Sequence, residues 1–251
     1  MSTSIHDRIL ELGRRARAAS RELAKLSTAQ KNEILLAMAR GIRAAQSVIL
    51  AANVQDVQRA EKNGSAKPMV DRLRLDAKGI ESIARAIEEV ATLPDPVGEI
   101  LAEWSRPNGL RLQKIRVPIG VIGIIYESRP NVTSDAAVLC FKTGNATILR
   151  GGSEAIESNR AIADALQRGG ETAGLPKDSI QLVPFTDRES VDHLAKMDQY
   201  LDLIIPRGGK GLIERVVSVA RLPVIKHFDG VCHVYVHRAA NLEMAADIII
   251  N

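Results

Sequence analysis

Aromatic residues are scarce: Trp, Tyr and Phe together make up 3% of the 251 residues. None sits inside a run of lysines and arginines. Nucleic-acid surfaces pair a basic track with aromatic platforms, and this chain has neither, so nucleic acid is excluded as a partner. Charge of one sign is not in large excess either, with 34 basic against 30 acidic residues and a net charge of +4. That modest balance suits a small phosphorylated molecule better than a polyanion. Only two cysteines are present, Cys140 and Cys232. They are far apart and form no CxxC, which argues against a disulfide framework and for a reduced, cytoplasmic protein. No apolar run approaches the about 20 residues of a membrane-spanning helix, so no membrane partner is expected. The first 17 residues are charged and amphipathic, unlike a signal peptide. The five histidines show no HExxH or other metal spacing. The GxGxxG fingerprint and the P-loop are missing too.

What is there begins with helical periodicity. Ile5, Ile9, Leu12, Ala16, Ala19, Leu23 and Leu26 recur on one helical face. Ser27 to Gln30 fits a capping box before a second helix that carries Ile34, Leu35, Met38 and Ile42. Ser47 is placed to cap a third helix ending at Asn63-Gly64. Asp76 is placed to cap a fourth, with Ile80, Ile83, Ile87 and Val90 inward, stopped before Pro94. Residues 1–96 therefore read as a helical cover. Residues 97–117 alternate around Pro107-Asn108-Gly109, the pattern of a β-hairpin. Trp104 lies on one arm. A hairpin with so little core of its own calls for a partner.

The chain is organised around residues 117–154. An apolar run at 117–125 reads as a strand buried on both faces. A polar loop, Tyr126-Glu-Ser-Arg-Pro-Asn131, follows. A helix through Lys142, capped by Thr133 or Ser134, is then expected to end with Gly144 at its C′ position. A second strand, 146–150, runs into Gly151-Gly152-Ser153-Glu154 and another helix. Further strands are expected at 180–184, 201–205, 223–226 and 231–236. Helices are expected at 187–197, 212–220 and, capped by Asn241, 242–250. This alternation predicts an α/β protein, a Rossmann-type parallel sheet with helices on both faces, a helical N-terminal cover and an inserted hairpin. Residues 118–226 form the cofactor-binding part, and 227–251 begin a further, incomplete unit.

Two glycine-rich strand-to-helix turns are candidate phosphate sites. Free N–H groups at a helix start favour an anion, and glycine lets it approach. One is Gly151-Gly152-Ser153-Glu154, with Arg150 before it. The other is Arg207-Gly208-Gly209-Lys210-Gly211. Pro184 ends a strand between them in sequence and is expected to line the same crevice. In the polar loop, Arg129 and Ser128 suit the phosphoryl or carboxylate end of a substrate. The alternative is that this loop only caps the next helix. Cys140 reads as a small core residue on its helix, and Cys232 as a core position on a strand.

The segments VPIGVIGIIYESRPNVTSDAAVLCFKTGNATILRGGSEAIESN, DLIIPRGGKGLI and PVIKHFDGVCHVYV closely resemble the gamma-glutamyl phosphate reductase branch of the aldehyde dehydrogenase superfamily. The resemblance implies the aldehyde dehydrogenase-like fold and NADPH-dependent reduction of L-glutamyl 5-phosphate to L-glutamate 5-semialdehyde and phosphate, in proline synthesis. It implies a cysteine thiolate that attacks the acyl phosphate, then hydride transfer to the thioester. That cysteine lies beyond residue 251, so turnover by this chain alone is not expected. The resemblance puts Arg150 beside the adenosine ribose, where with Ser153 it suits the 2′-phosphate of NADP. It puts Gly208 and Gly209 at the cofactor pyrophosphate and Asn131 as an oxyanion donor. It makes the hairpin a homo-oligomerisation element and glutamate 5-kinase a pathway neighbour. Other readings stay open: a non-catalytic NADP-binding or assembly module, an enzyme using Cys232 itself, or another aldehyde or acyl dehydrogenase.

Overall fold

The computed structural model describes residues 4–127, 129–227 and 233–250. Helices α1 (Ile5–Leu23), α2 (Thr28–Ala44), α3 (Gln46–Lys62), α4 (Lys67–Leu73) and α5 (Ala77–Thr92) come first. The expected capping box at Ser27 and Gln30 is present, and Asp76 caps α5 through the Gly79 N–H. Ser47 caps nothing: α3 starts one residue earlier, at Gln46, with no side-chain cap. Helix α4 was not legible in the sequence, because seven residues are too few to show a period.

Strands β1 (Ile100–Ser105) and β2 (Arg111–Ile115) form the expected antiparallel hairpin. Both are exposed along nearly their whole length. The main sheet holds β3 (Val121–Tyr126), β4 (Ala146–Arg150), β5 (Ile180–Leu182) and β6 (Leu203–Arg207) in the order β5-β4-β3-β6, every pair parallel. All six residues of β3 and all five of β4 are buried, which is why β3 reads as an apolar run; β4 carries Thr147 and Arg150 into the interior.

Helices α6 (Asn131–Lys142) and α7 (Ile156–Glu171) connect β3 to β4 and β4 to β5. Helix α8 (Glu189–Ala195) then crosses back to β6, and α9 (Lys210–Val219) follows. Right-handed crossovers put α6 and α7 on one face and α8 on the other, where α1 packs against α8 and α9 against β6. Helices α2, α3 and α5 lie over α6 and α7. The sequence reverses direction between β3 and β6, so the topological switch point lies there.

Helix α6 differs from expectation at its start. Thr133 and Ser134 lie inside it, buried, and Pro130 holds the N-cap position with no side-chain cap. Its end is as expected: Gly144 has φ +77°, donates to Phe141 O, and Asn145 donates to Cys140 O, a Schellman close. The strands expected at 223–226 and 231–236 do not form among the described residues: Val224 makes one isolated bridge to Ile204, and 233–236 are irregular. Helix α10 (Leu242–Ile250) is capped by Asn241, whose Oδ1 accepts the Met244 N–H.

Helices α2 and α7 meet backbone to backbone. A Cβ on Gly41 would lie 2.7 Å from the Ala165 carbonyl oxygen and 2.9 Å from the Gly169 Cα. Beside them a buried charge cluster ties α2, α5 and α6 together. Lys31 pairs with Asp95, and Lys142 Nζ donates to Asn32 Oδ1 at 2.6 Å and Ala91 O at 2.9 Å. No single helix among the described residues is long and apolar enough to cross a membrane.

Candidate cofactor and substrate clefts

Two clefts open at the carboxyl ends of the strands, and Glu127 lines both. The first, about 750 Å³, lies over the switch point and is lined by Arg129, Val132, Arg207, Gly208, Gly209, Lys226 and others. The second, about 680 Å³, lies over β4 and includes Arg150, Gly152, Ser153, Glu154, Thr186 and Arg188. Together they make one groove from the start of α7 to the start of α9.

In the second cleft, Arg150 ends β4 almost buried. Its Nη2 donates to Thr186 O at 2.7 Å and its Nε to Ser190 Oγ at 3.3 Å. Burial pulls its pKa below the usual arginine range, against the carboxylates of Glu154, Glu127 and Asp187, which push it up. Those donors are thus spent on the β5–α8 loop. Gly151 does not line the cleft. It is buried, and a Cβ there would strike Asn159 Nδ2 and press on the Tyr126 ring. Tyr126 OH, Thr133 Oγ1 and Asn159 Oδ1 form a hydrogen-bonded chain, at 2.7 and 3.0 Å, behind this turn. Burial raises the Tyr126 pKa, so the phenol stays protonated. At Gly152 the Glu154 carboxylate folds over the backbone.

Asp56, fully buried on α3, holds the start of α7 from outside the sheet. It accepts the Ser158 N–H at 2.8 Å and the Ser158 hydroxyl at 2.7 Å. Arg59 pairs with it. A carboxylate at a helix start satisfies free N–H groups and meets the positive end of the dipole. Asp56 lies 102 positions from Ser158, so no local sequence signal announced the pairing.

In the first cleft, Glu127 Oε2 accepts the Gly209 N–H at 2.9 Å, and a Cβ on Gly208 would strike the same carboxylate. Arg129 lies on the loop before α6, and Arg207 ends β6. Asn131 opens α6 beside this cleft but lines neither one, and one hydrogen of its amide goes to Asp135 Oδ2 at 3.0 Å. Burial raises the Asp135 pKa, opposed by the Asn131 hydrogen bond and the Arg207 charge. Ser128 lies outside the described residues, as does Cys232.

Pro184 is not brought into either cleft. It lines two small recesses, of about 290 and 260 Å³, near α7 and α1. The reason is strand order: β5 lies on the far side of β4, away from β3 and β6. Thr186 and Arg188, two and four residues on, reach the groove instead. Sequence reasoning also missed Arg72, which comes from α4 to line the first cleft. No group of three or more potential metal ligands occurs among the described residues.

Comparison with known proteins matches this fold. The chain is 52% identical over 250 residues to the gamma-glutamyl phosphate reductase of Paramagnetospirillum magneticum, a match that covers 100% of this chain and 59% of that protein. It is 56% identical over 242 residues to that of Parvibaculum lavamentivorans, covering 96% and 57%. The chain thus spans somewhat under three-fifths of the length of these relatives. The crystal structure of gamma-glutamyl phosphate reductase from Thermotoga maritima matches with a TM-score of 0.89 and 42% identity, over 97% of this chain and 59% of that one. An acetylating aldehyde dehydrogenase from Geobacillus thermoglucosidasius shares the fold at a TM-score of 0.69 and 21% identity. Residues 4–251 match the model of the aldehyde dehydrogenase family, and the chain belongs to that family.

Proposed function

We propose that this chain carries the cofactor cleft and one wall of the substrate cleft of an NADPH-dependent gamma-glutamyl phosphate reductase. The reaction consumes L-glutamyl 5-phosphate, NADPH and a proton, and yields L-glutamate 5-semialdehyde, phosphate and NADP⁺. The observation that carries the reading is the pair of adjoining clefts meeting at Glu127, in a chain 52–56% identical to proteins of that name. Family membership implies a nicotinamide cofactor.

The residues fit such a group. Gly208 and Gly209 open α9 toward the first cleft, and Gly152, Ser153 and Arg150 line the second. In this reading the second cleft takes the adenosine end, with Ser153, Arg150 and Arg188 near its ribose. The start of α9 takes the diphosphate, since N–H groups there suit an anion. When bound, the nicotinamide supplies the hydride. Asn131 keeps one amide hydrogen beyond its bond to Asp135, and that hydrogen is the one available to a developing oxyanion.

Calorimetric titration with NADP⁺ and NAD⁺ tests the assignment. Binding of NADP⁺ in preference to NAD⁺, weakened by Ser153→Glu, is expected. Absence of binding to either would remove the cofactor reading. The reductase activity is assayed in reverse on the whole protein, with glutamate 5-semialdehyde, phosphate and NADP⁺.

The exposed hairpin supports assembly into a homo-oligomer. Ile100, Leu101, Trp104, Leu110 and Ile115 are each 44–54% exposed, on a two-stranded ribbon that buries little by itself. Light scattering of the chain and of a Trp104→Glu variant distinguishes an oligomer held by the hairpin from a monomer.

A further inference from the structure

We propose that Arg72 and Arg129 form the phosphoryl-recognising wall of the first cleft, with Arg72 as its specificity-determining residue for an acyl phosphate. The identity of the ligand rests on the reductase reading; the anion site itself rests on geometry. Arg72 and Arg129 reach the same cleft from elements far apart in sequence, α4 and the β3–α6 loop. Neither makes a side-chain hydrogen bond or ion pair among the described residues. Arg207, in the same cleft, makes none either, whereas other arginines of this region are engaged. Arg74, two positions on, pairs with Glu61 at 3.0 Å, and Arg59 pairs with Asp56. Arg160 pairs with Glu157 at 2.7 Å.

The placement of Arg72 is built rather than incidental. Val70 and Leu73 bury the opposite side of α4 against Val57, Ala60 and Ala155. Asn53 clamps the end of the helix, its Nδ2 donating to Leu73 O and its Oδ1 accepting the Leu75 N–H, both at 2.8 Å. A seven-residue helix anchored in this way holds its exposed arginine over the cleft.

Among the described residues, Glu127 is the cleft's only lining carboxylate, and it is engaged by the Gly209 N–H at 2.9 Å. Arg207, which lines the same cleft, stands in the field of Asp135. Among the described residues that line the cleft, Arg72 and Arg129 are therefore left without a countercharge. Two guanidinium groups lining one cleft make it favourable to an anion, and their planar forks match phosphate oxygens in bidentate fashion.

The test uses inorganic phosphate as the probe, by calorimetry and by the arginine Nε–H resonances, without and then with saturating NADP⁺. Phosphate is expected to bind in both conditions. Arg72→Met and Arg129→Met are each expected to weaken it about tenfold, the loss of one charged hydrogen-bonding partner. NADP⁺ affinity should change less than about twofold on the same scale, and Arg21→Met, on a remote surface, should change neither. Both target side chains are exposed, so the fold should survive, as circular dichroism will show. Phosphate binding that is absent, unchanged in both variants, or displaced by NADP⁺ would overturn the proposal. If NADP⁺ fails to bind, the cofactor reading falls, while the phosphate titration still decides the role of the arginines.

Discussion

Glu127 accepts the Gly209 N–H through Oε2 at 2.9 Å, so a carboxylate of the chain itself sits at the start of α9. In the cofactor reading a diphosphate belongs at that point, and one anion must leave before the other arrives. Glu127→Gln keeps an acceptor for Gly209 but removes the charge. NADP⁺ affinity is expected to rise about two- to fivefold, the size of a charge effect at a helix start. Calorimetry decides it: equal or weaker binding would mean that the carboxylate and the cofactor do not compete.

The turn at Gly151 has no room for a side chain, because Asn159 and the Tyr126 ring fill the space. Gly151→Ala is expected to cost about 1–3 kcal/mol in urea unfolding, the usual penalty for overpacking. Asn159→Ala added to it should recover part of the loss by clearing the clash. A Gly151→Ala protein as stable as its parent would refute this packing account.

Asp95 neutralises Lys31, which is 1% exposed. Burial alone would raise the Asp95 pKa, but Lys31, the Val97 N–H and the Thr28 hydroxyl outweigh it and hold it below the usual range. A lowered folded-state value contributes stability above the unfolded-state value, and that stability is lost as pH falls through the folded-state one. Asp95→Ala is expected to cost about 3–5 kcal/mol at pH 7, where Lys31 is left buried without its partner. The gap between parent and variant should narrow below about pH 4, near the unfolded aspartate value.

Asp135 has the opposite sign. Burial raises its pKa despite Asn131 and Arg207, so stability falls as pH rises from the unfolded-state value through the folded-state one. Asp135→Asn is expected to raise Tm at pH 7 by about 1–4 °C, with no difference at pH 3. A lower Tm at pH 7 would show that the charge is worth more to Arg207 than it costs to bury.

Cys140 is buried on α6, and burial pushes its thiol up to about 11. In a Cys232→Ser variant the remaining thiol is expected to resist a disulfide reagent at pH 8 until the protein is unfolded. Rapid reaction of the folded variant would contradict that burial.

What was legible in the sequence follows the range of the interactions involved. Strand β3 could be read because all six residues are buried, and burial on both faces leaves an unbroken apolar run. Gly144 could be read because its role is decided within five residues. Asp56 and Arg72 could not, since each acts across a large sequence separation. The error at Pro184 was of the same kind: strand order across the sheet carries no local mark, and β5 pairs with β4 alone. At α6, Pro130 supplies the helix start although Thr133 and Ser134 carry the stronger local capping signal. Thr133 turned instead to Tyr126 and Asn159.

The contact of Gly41 with Gly169 has a mechanical consequence. With no side chains between them, α2 and α7 cannot slide past each other without colliding backbones, and shear between packed helices needs side chains that can re-interdigitate. Helices α2 and α7 should therefore travel as one body, and α3, packed on α7, carries α4 with it. Whatever moves around the groove, Arg72 should keep its register with the turn at residues 151–154, at the start of α7.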